Sequence, residues 1–296
     1  MKRIILSDNK WQAIKNKHFK YCKTLKLADG TTIDKDICWK LCCENPFDFS
    51  VLNVENPLHK YFKPEYWKFI DEKIYDYSKQ YKSFRVRPRD GWSGVALIQE
   101  LGVNVCPYCG MNYFSTVTKS KTGKTVTVAT LDHYRPKEVY PMFAMNLYNL
   151  IPSCKNCNST FKSIENEHII CNPYFYNLEE EIIFRIKSED VINQILTKNS
   201  DLKIFLDYDL TNEILTNHDK VLSLKERYNY FKNIAKSIIY KKRIYSDNYL
   251  KQLSKLGLDL SQKHLEDLIV KQDVFGENEP FLKFKQDIWK QLKEIC

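Results

Sequence analysis

The chain has 296 residues, 43% of them hydrophobic and 14% aromatic, which is enough apolar mass to bury a core and too much for a disordered tail. Basic residues exceed acidic ones to give a formal charge of +9, which suits a polyanionic partner such as nucleic acid without requiring one. No run reaches the roughly 20 apolar residues of a membrane span. The opening Met1-Lys-Arg-Ile-Ile-Leu6 is too short for a signal peptide, so a cytoplasmic protein is expected, with no membrane partner.

Residues 1–100 read as helical. Tyr66, Ile70, Ile74, Tyr77, Tyr81 and Phe84 recur at steps of three and four and trace one apolar face. Pro88 and Gly91 then end the helix. The stretch carries Arg85, Arg87 and Arg89, which suit a solvated loop and a phosphate-contacting arm equally.

Residues 101–175 differ in character. Tyr113–Val117 and Thr125–Leu131 are rich in β-branched and aromatic residues, with a turn glycine at Gly123 between them, so a hairpin is expected. Cys157–Ile164 reads as the start of a helix. In residues 176–296, Ile182–Lys187 reads as a strand, and helices return from about residue 210. There Leu222, Tyr228, Phe231, Ala235, Ile238 and Ile239 form an apolar stripe, punctuated by Gly257 and Gly276. The expected fold is mainly α, with helical N- and C-terminal flanks packed around a small central module.

The chemistry lies in that module. Cys106-Pro-Tyr-Cys109 and Cys154-Lys-Asn-Cys157 are two CxxC pairs, each able to bring two thiolates to one tetrahedral zinc ion. The remaining cysteines (Cys22, Cys38, Cys42, Cys43, Cys171 and Cys296) show no such pairing and suit a core in a reducing compartment. Cys-Pro-Tyr-Cys is also the active-site tetrapeptide of glutaredoxins. That reading fits poorly with a hundred preceding helical residues and a second CxxC.

Between the pairs lie Asp132-His133 and Asn149, and Asn158 follows the last cysteine. Neighbouring residues at a strand end point in different directions. Asp132 can therefore offer a carboxylate to a hard cation, Mg²⁺ or Mn²⁺, while His133 faces a water. Asn158 offers an amide oxygen to the same ion. Asn149 can brace the loop that carries His133 or fix its tautomer. Arg135, Lys137, Lys155 and Lys162 surround these residues as candidate phosphate contacts.

This ordered set resembles the HNH endonuclease motif, the ββα-metal fold in its four-cysteine form. The resemblance is carried by Cys106-Pro-Tyr-Cys109, Leu131-Asp-His-Tyr-Arg-Pro-Lys137, Asn149-Leu-Ile-Pro-Ser-Cys154 and Cys157-Asn158-Ser159. It implies a ββα-metal module with helical flanks. In it His133 acts as general base, Asp132 and Asn158 as ligands of a catalytic divalent ion, Asn149 as the loop-supporting residue, and the four cysteines as structural zinc ligands. It further implies hydrolysis of a nucleic-acid phosphodiester, DNA being the favoured substrate, to give 5′-phosphate and 3′-hydroxyl ends. Many members place a lysine three residues after the last Asn, whereas Lys162 comes four after Asn158.

Tyr140-Pro141, Asn172-Pro173, Lys225-Glu-Arg-Tyr228 and Glu279-Pro-Phe-Leu-Lys-Phe-Lys285 resemble a bacterial subgroup, HNH proteins encoded beside an ATPase in Septu-type anti-phage defence. That resemblance implies an ATPase partner. The competing expectation is a non-catalytic zinc ribbon that only docks nucleic acid or protein.

Overall fold

The computed structural model describes residues 1–27, 30–86, 90–123, 125–163, 168–197, 201–258, 262–271 and 279–295. Arg87, Pro88, Arg89, Gly276 and Cys296, named above, lie outside them. The chain divides into two compact units, one of Ile4–Val103 with Phe114–Asn166, the other of Met1–Arg3 with Asn104–Tyr113 and Glu167–Cys296. Residues 101–175 are therefore shared between two units. The structure is mainly helical, as the sequence predicts, with three small two-stranded sheets among the described residues. No helix among the described residues is long and apolar enough to cross a membrane.

The first unit contains α1 (Asp8–Cys22), α2 (Lys35–Cys43), α3 (Trp67–Glu72), α4 (Ser78–Val86) and α5 (Gly94–Leu101). Asp34 starts α2 by accepting from the backbone N–H groups of Asp36 and Ile37 at 2.9 and 3.2 Å, the usual service of an N-cap aspartate. Ser93 does the same for α5 through the Ala96 N–H, and Gly102 ends that helix at φ +68°.

The apolar face expected over residues 66–84 is split between α3 and α4. Lys73, at φ +51°, breaks the helical phase. Tyr66, Ile70, Tyr77, Tyr81 and Phe84 are buried on either side of the break, and Ile74 is turned outward.

The expected hairpin is also divided. β1 (Thr116–Thr118) pairs with β2 (Thr125–Thr127), but β3 (Thr130–His133) leaves that ladder and pairs antiparallel with β4 (Leu150–Ser153). A Cβ on Gly94 would lie 3.0 Å from Leu131 Cδ1, so the missing side chain lets the start of α5 close on β3. Both residues are buried.

The second unit is built on α6 (Leu178–Glu181), β5 (Ile183–Ile186), α7 (Ser188–Thr197) and β6 (Ile204–Asp207), followed by α8 (Glu213–Leu222), α9 (Leu224–Tyr230), α10 (Lys232–Ile244), α11 (Asp247–Lys255), α12 (Gln262–Val270) and α13 (Leu282–Ile295). β5 and β6 pair antiparallel, Phe184 opposite Leu206. The other edge of β5 is satisfied by side chains. Asp287 accepts from the Phe184 N–H at 2.9 Å, and the Gln291 amide exchanges two bonds with the Ile186 backbone at 3.0 and 2.6 Å. A strand edge otherwise presents unpaired backbone groups; here α13 covers it. Phe184, Tyr228 and Phe284 fill the space beneath. The predicted C-terminal stripe is buried at Leu222, Tyr228, Ala235, Ile238 and Ile239. Ser223, at φ +48°, separates α8 from α9, and Phe231 is 38% exposed.

His18 holds the first unit's core in a single protonation state. The Met145 carbonyl, 2.7 Å from Nε2, can only accept, so Nε2 carries the proton. Trp92 donates its indole N–H to Nδ1 at 3.2 Å. Burial lowers the imidazole pKa to about 4, a shift the Met145 hydrogen bond opposes. The unfolded chain then takes up the extra proton between pH 6.5 and 4, so stability rises with pH in that window and is lost as pH falls through it. Urea denaturation should show up to roughly 3 kcal/mol lost to this group once pH is below 4. A His18→Gln variant should have a measurably flatter pH profile between 6.5 and 4.

Candidate functional site

The site is built on the β3–β4 ladder, with Asp132 opposite Ile151 and His133 opposite Leu150. Asn149 stands immediately before β4 and is fully buried. Its side-chain oxygen accepts from the Arg135 N–H at 2.6 Å, and its amide donates to the carbonyls of Arg135 and Phe143 at 3.0 and 3.1 Å. Its own carbonyl accepts from the Tyr134 N–H at 2.8 Å. A backbone turn leaving a strand has donors and acceptors that must be paired when buried; Asn149 pairs several of those that follow His133.

His133 ends β3 and is partly exposed. Its Nε2 lies 3.0 Å from the Ala144 carbonyl, which can only accept, so Nδ1 is the proton-free nitrogen. Tyr81 packs edge-on to the imidazole at 4.2 Å and donates its hydroxyl to the Leu131 carbonyl at 2.8 Å. Desolvation lowers the His133 pKa to about 4, against the Ala144 hydrogen bond and the Asp132 charge, which both raise it. The ring is neutral at pH 7 and able to accept a proton.

Asp132 points to the opposite face, the one Thr130 shares in the strand's two-residue alternation. Asn158 reaches that face and donates its amide to Thr130 Oγ1 at 3.0 Å. Lys162 reaches it as well. Its ammonium lies 3.0 and 2.9 Å from the two Asp132 carboxylate oxygens and 2.6 Å from the His133 carbonyl. Both side chains are almost fully buried, at 5% and 3% exposure.

The segment Asn156–Phe161 is a π-helical turn rather than the expected α-helix, and the Lys162 N–H bonds the Cys157 carbonyl five residues back at 3.0 Å. A π-turn accommodates one residue more than an α-turn. Lys162, which follows this turn, faces β3.

Cys106, Cys109, Cys154 and Cys157 are all buried, and their sulfurs lie within 4.8 Å of one another. Four thiolates around zinc at about 2.3 Å sit about 3.8 Å apart, so the set fits a structural zinc ion after small adjustment. The surrounding donors agree with thiolates. The Cys157 N–H points at Cys154 Sγ at 3.4 Å, and the Asn112 amide at Cys109 Sγ at 3.8 Å.

The first knuckle is tightly held. The Gly110 N–H bonds the Cys106 carbonyl at 2.8 Å. Gly110 has φ +66°, and a Cβ there would lie 2.2 Å from the Met1 nitrogen, so no other residue fits without movement. The Cys109 carbonyl accepts from the Tyr228 hydroxyl at 2.7 Å, and the Tyr108 carbonyl accepts from His218 Nε2 at 3.0 Å. Such outer partners orient metal ligands. Cys106 is fully buried, which separates it from the exposed nucleophile a redox reading needs.

The oxygen donors predicted for Mg²⁺ or Mn²⁺ do not fit that ion as they stand, because Asp132 already bonds an ammonium through both oxygens. Among the described residues, the cysteines form the one cluster of three or more His, Cys, Asp or Glu donors suited to a metal.

The expected phosphate contacts separate into two groups. Arg135 is buried, donates to the Tyr140 hydroxyl at 2.7 Å and lies over the Tyr140 ring. It therefore supports the loop structurally, as Lys162 supports Asp132. Lys155 is exposed, and Lys137 is partly exposed beside Glu138. Arg85 is exposed and lines a cavity of about 690 Å³ with Ser93, Gln99, Thr130, Asn158 and Ser159. Tyr81, Thr130 and Ala144 were not predicted as site residues. Tyr81 carried only the signal of an apolar helix face, and the Ala144 contribution is a backbone carbonyl that no side-chain pattern reveals.

Two outcomes follow from this geometry. Zinc analysis should find one ion per chain, and Cys157→Ser should lose it together with a lower thermal midpoint. Asn149→Ala should lower the unfolding free energy by about 3 kcal/mol in urea titrations, since it leaves several buried backbone groups unpaired. Among known proteins, the chain is similar to protein ea31 of Escherichia phage lambda, with 31% identity over 84 residues. That segment is 27% of this chain and spans about a quarter (23%) of the phage protein. No family model matches the chain, and no solved structure matches it.

Proposed function

We propose that this protein is an endonuclease that hydrolyses nucleic-acid phosphodiester bonds, with His133 as the general base. The observation that carries the reading is the Asn149 bracket. A fully buried asparagine pairs the backbone immediately after His133, and it does so in the order in which the resemblance to HNH endonucleases places these residues. A side chain that must meet a water at a fixed angle gains rate from such preorganisation.

In the proposed reaction, Nδ1 of His133 takes a proton from water as the water oxygen bonds to phosphorus; the bond from phosphorus to the 3′ oxygen breaks, and that oxygen leaves and takes a proton from solvent, giving 5′-phosphate and 3′-hydroxyl ends. Burial makes His133 a weak base in the free protein. A phosphodiester anion brought beside the ring favours the imidazolium and strengthens the base. Lys137 and Lys155 contact the neighbouring phosphates, and the +9 charge draws the polyanion in. DNA is the favoured substrate. A role in anti-phage defence, with an ATPase partner, is part of the same proposal and rests on the resemblance alone.

One observation favours a second reading. Asp132 is neutralised by Lys162, as in a zinc-stabilised module that binds nucleic acid without cutting it. The assay that separates the two offers plasmid, single-stranded DNA and RNA with Mg²⁺ or Mn²⁺, with and without an ATPase. The endonuclease reading expects cleavage, reduced by His133→Ala about 10²–10⁴-fold, the range typical of a lost general base, with binding retained. Binding without cleavage of any substrate, or unchanged cleavage by His133→Ala, would remove the assignment. Binding should weaken steeply with salt in either case.

A further inference from the structure

We propose that Lys162 is a built-in cation that holds the metal position of Asp132, so that a divalent ion enters only when this ammonium leaves. The proposal rests on the nuclease reading for its relevance, but the contacts behind it do not. The Lys162 ammonium bonds both carboxylate oxygens of Asp132, at 3.0 and 2.9 Å, and the His133 carbonyl at 2.6 Å. Three acceptors match the three donors of an ammonium. The pair is nearly sealed from water, so solvent does little to compensate either charge.

A divalent ion needs the same oxygens. An ammonium and a divalent cation a few ångströms apart, in a site this dry, repel far more strongly than at a surface. The two cations therefore exclude one another. The energy of the Lys162 contacts must be given up before metal binds, and the apparent metal affinity falls by the corresponding factor.

The lysine is placed there by backbone geometry. The π-turn at Asn156–Phe161 carries Asn158 and Lys162 to the same face of β3, and its five-residue bond to Cys157 sets where Lys162 emerges. Asn158 donates to Thr130 at one end of this face, and Lys162 engages Asp132 two residues along. Asn158 and the carboxylate thus lie on the same face of β3, and the ammonium holds the carboxylate oxygens.

The test is Mn²⁺ binding, followed by electron paramagnetic resonance on zinc-loaded full-length protein, with the thermal midpoint as a second readout. Native protein should bind Mn²⁺ weakly. Lys162→Met should bind it at least tenfold more tightly, and Mn²⁺ should raise the thermal midpoint of the variant more than that of the native chain. Lys162→Gln keeps a donor on Asp132 without the charge, and it serves the same comparison if Lys162→Met does not fold. Adding Asp132→Asn to either variant should abolish the gain.

Equal or weaker Mn²⁺ binding by the Lys162 variant overturns the proposal, as does a gain that survives Asp132→Asn. Because binding is read without cleavage, an inactive protein in which Lys162→Met gains Mn²⁺ sinks the nuclease reading alone. A nuclease whose Mn²⁺ affinity ignores Lys162 sinks the latch alone.

Discussion

A carboxylate buried in a strand requires a cation, and this requirement organises the site. Asp132 is nearly sealed from water, and an isolated charge there would be prohibitive. The fold supplies the Lys162 ammonium against both Asp132 oxygens. The ladder of β3 and β4 fixes the carboxylate, and the π-turn after Cys157 fixes the ammonium. Breaking such a pair leaves a stranded charge, whereas keeping it intact adds little net stability. A buried ion pair of this kind is better understood as a determinant of local geometry than as a source of stability.

The same strand separates two kinds of chemistry through its pleat. On one face, Asp132, Thr130, Asn158 and Lys162 form a polar set of hard oxygen and nitrogen groups. On the other, His133 rests against Tyr81 and hydrogen-bonds the Ala144 carbonyl. Alternation along a strand achieves this without any loop motion. Asn149 then secures the turn that follows, so the position of the imidazole is inherited from backbone pairing. Rigid support of this kind is what a proton acceptor needs if it is to act at a fixed distance.

The cysteines show how context selects chemistry among identical side chains. Cys106, Cys109, Cys154 and Cys157 converge, and the sulfurs of Cys109 and Cys154 face N–H donors, as thiolates do. Cys22, Cys38, Cys42 and Cys43 are also buried; burial raises the pKa values of Cys22, Cys42 and Cys43, and the Cys42 hydrogen bond followed by burial raises that of Cys38, which favours the neutral thiol. A neutral buried thiol behaves as a small apolar group. The first set is a candidate metal centre, and the second is core.

Local pattern was enough to identify the helical character of the chain, the two CxxC pairs, the strand at Ile183–Ile186 and the buried stripe from Leu222 to Ile239. Each of these rests on spacing over a few residues, which period and side-chain type record directly. For Asn149 the sequence left two roles open, bracing the loop after His133 or fixing its tautomer; in the folded chain its amide pairs the backbone of Arg135 and Phe143. Other features required the tertiary structure. The pairing of β3 with β4 joins segments apart in the chain, as does the close approach of Gly94 to Leu131. The inward turn of Arg135 and Lys162 was hidden, because a basic residue in sequence carries no mark of its partner. Lys162 became the partner of Asp132 when a π-turn, invisible to periodicity, rotated one side chain into a site that only the folded strand creates.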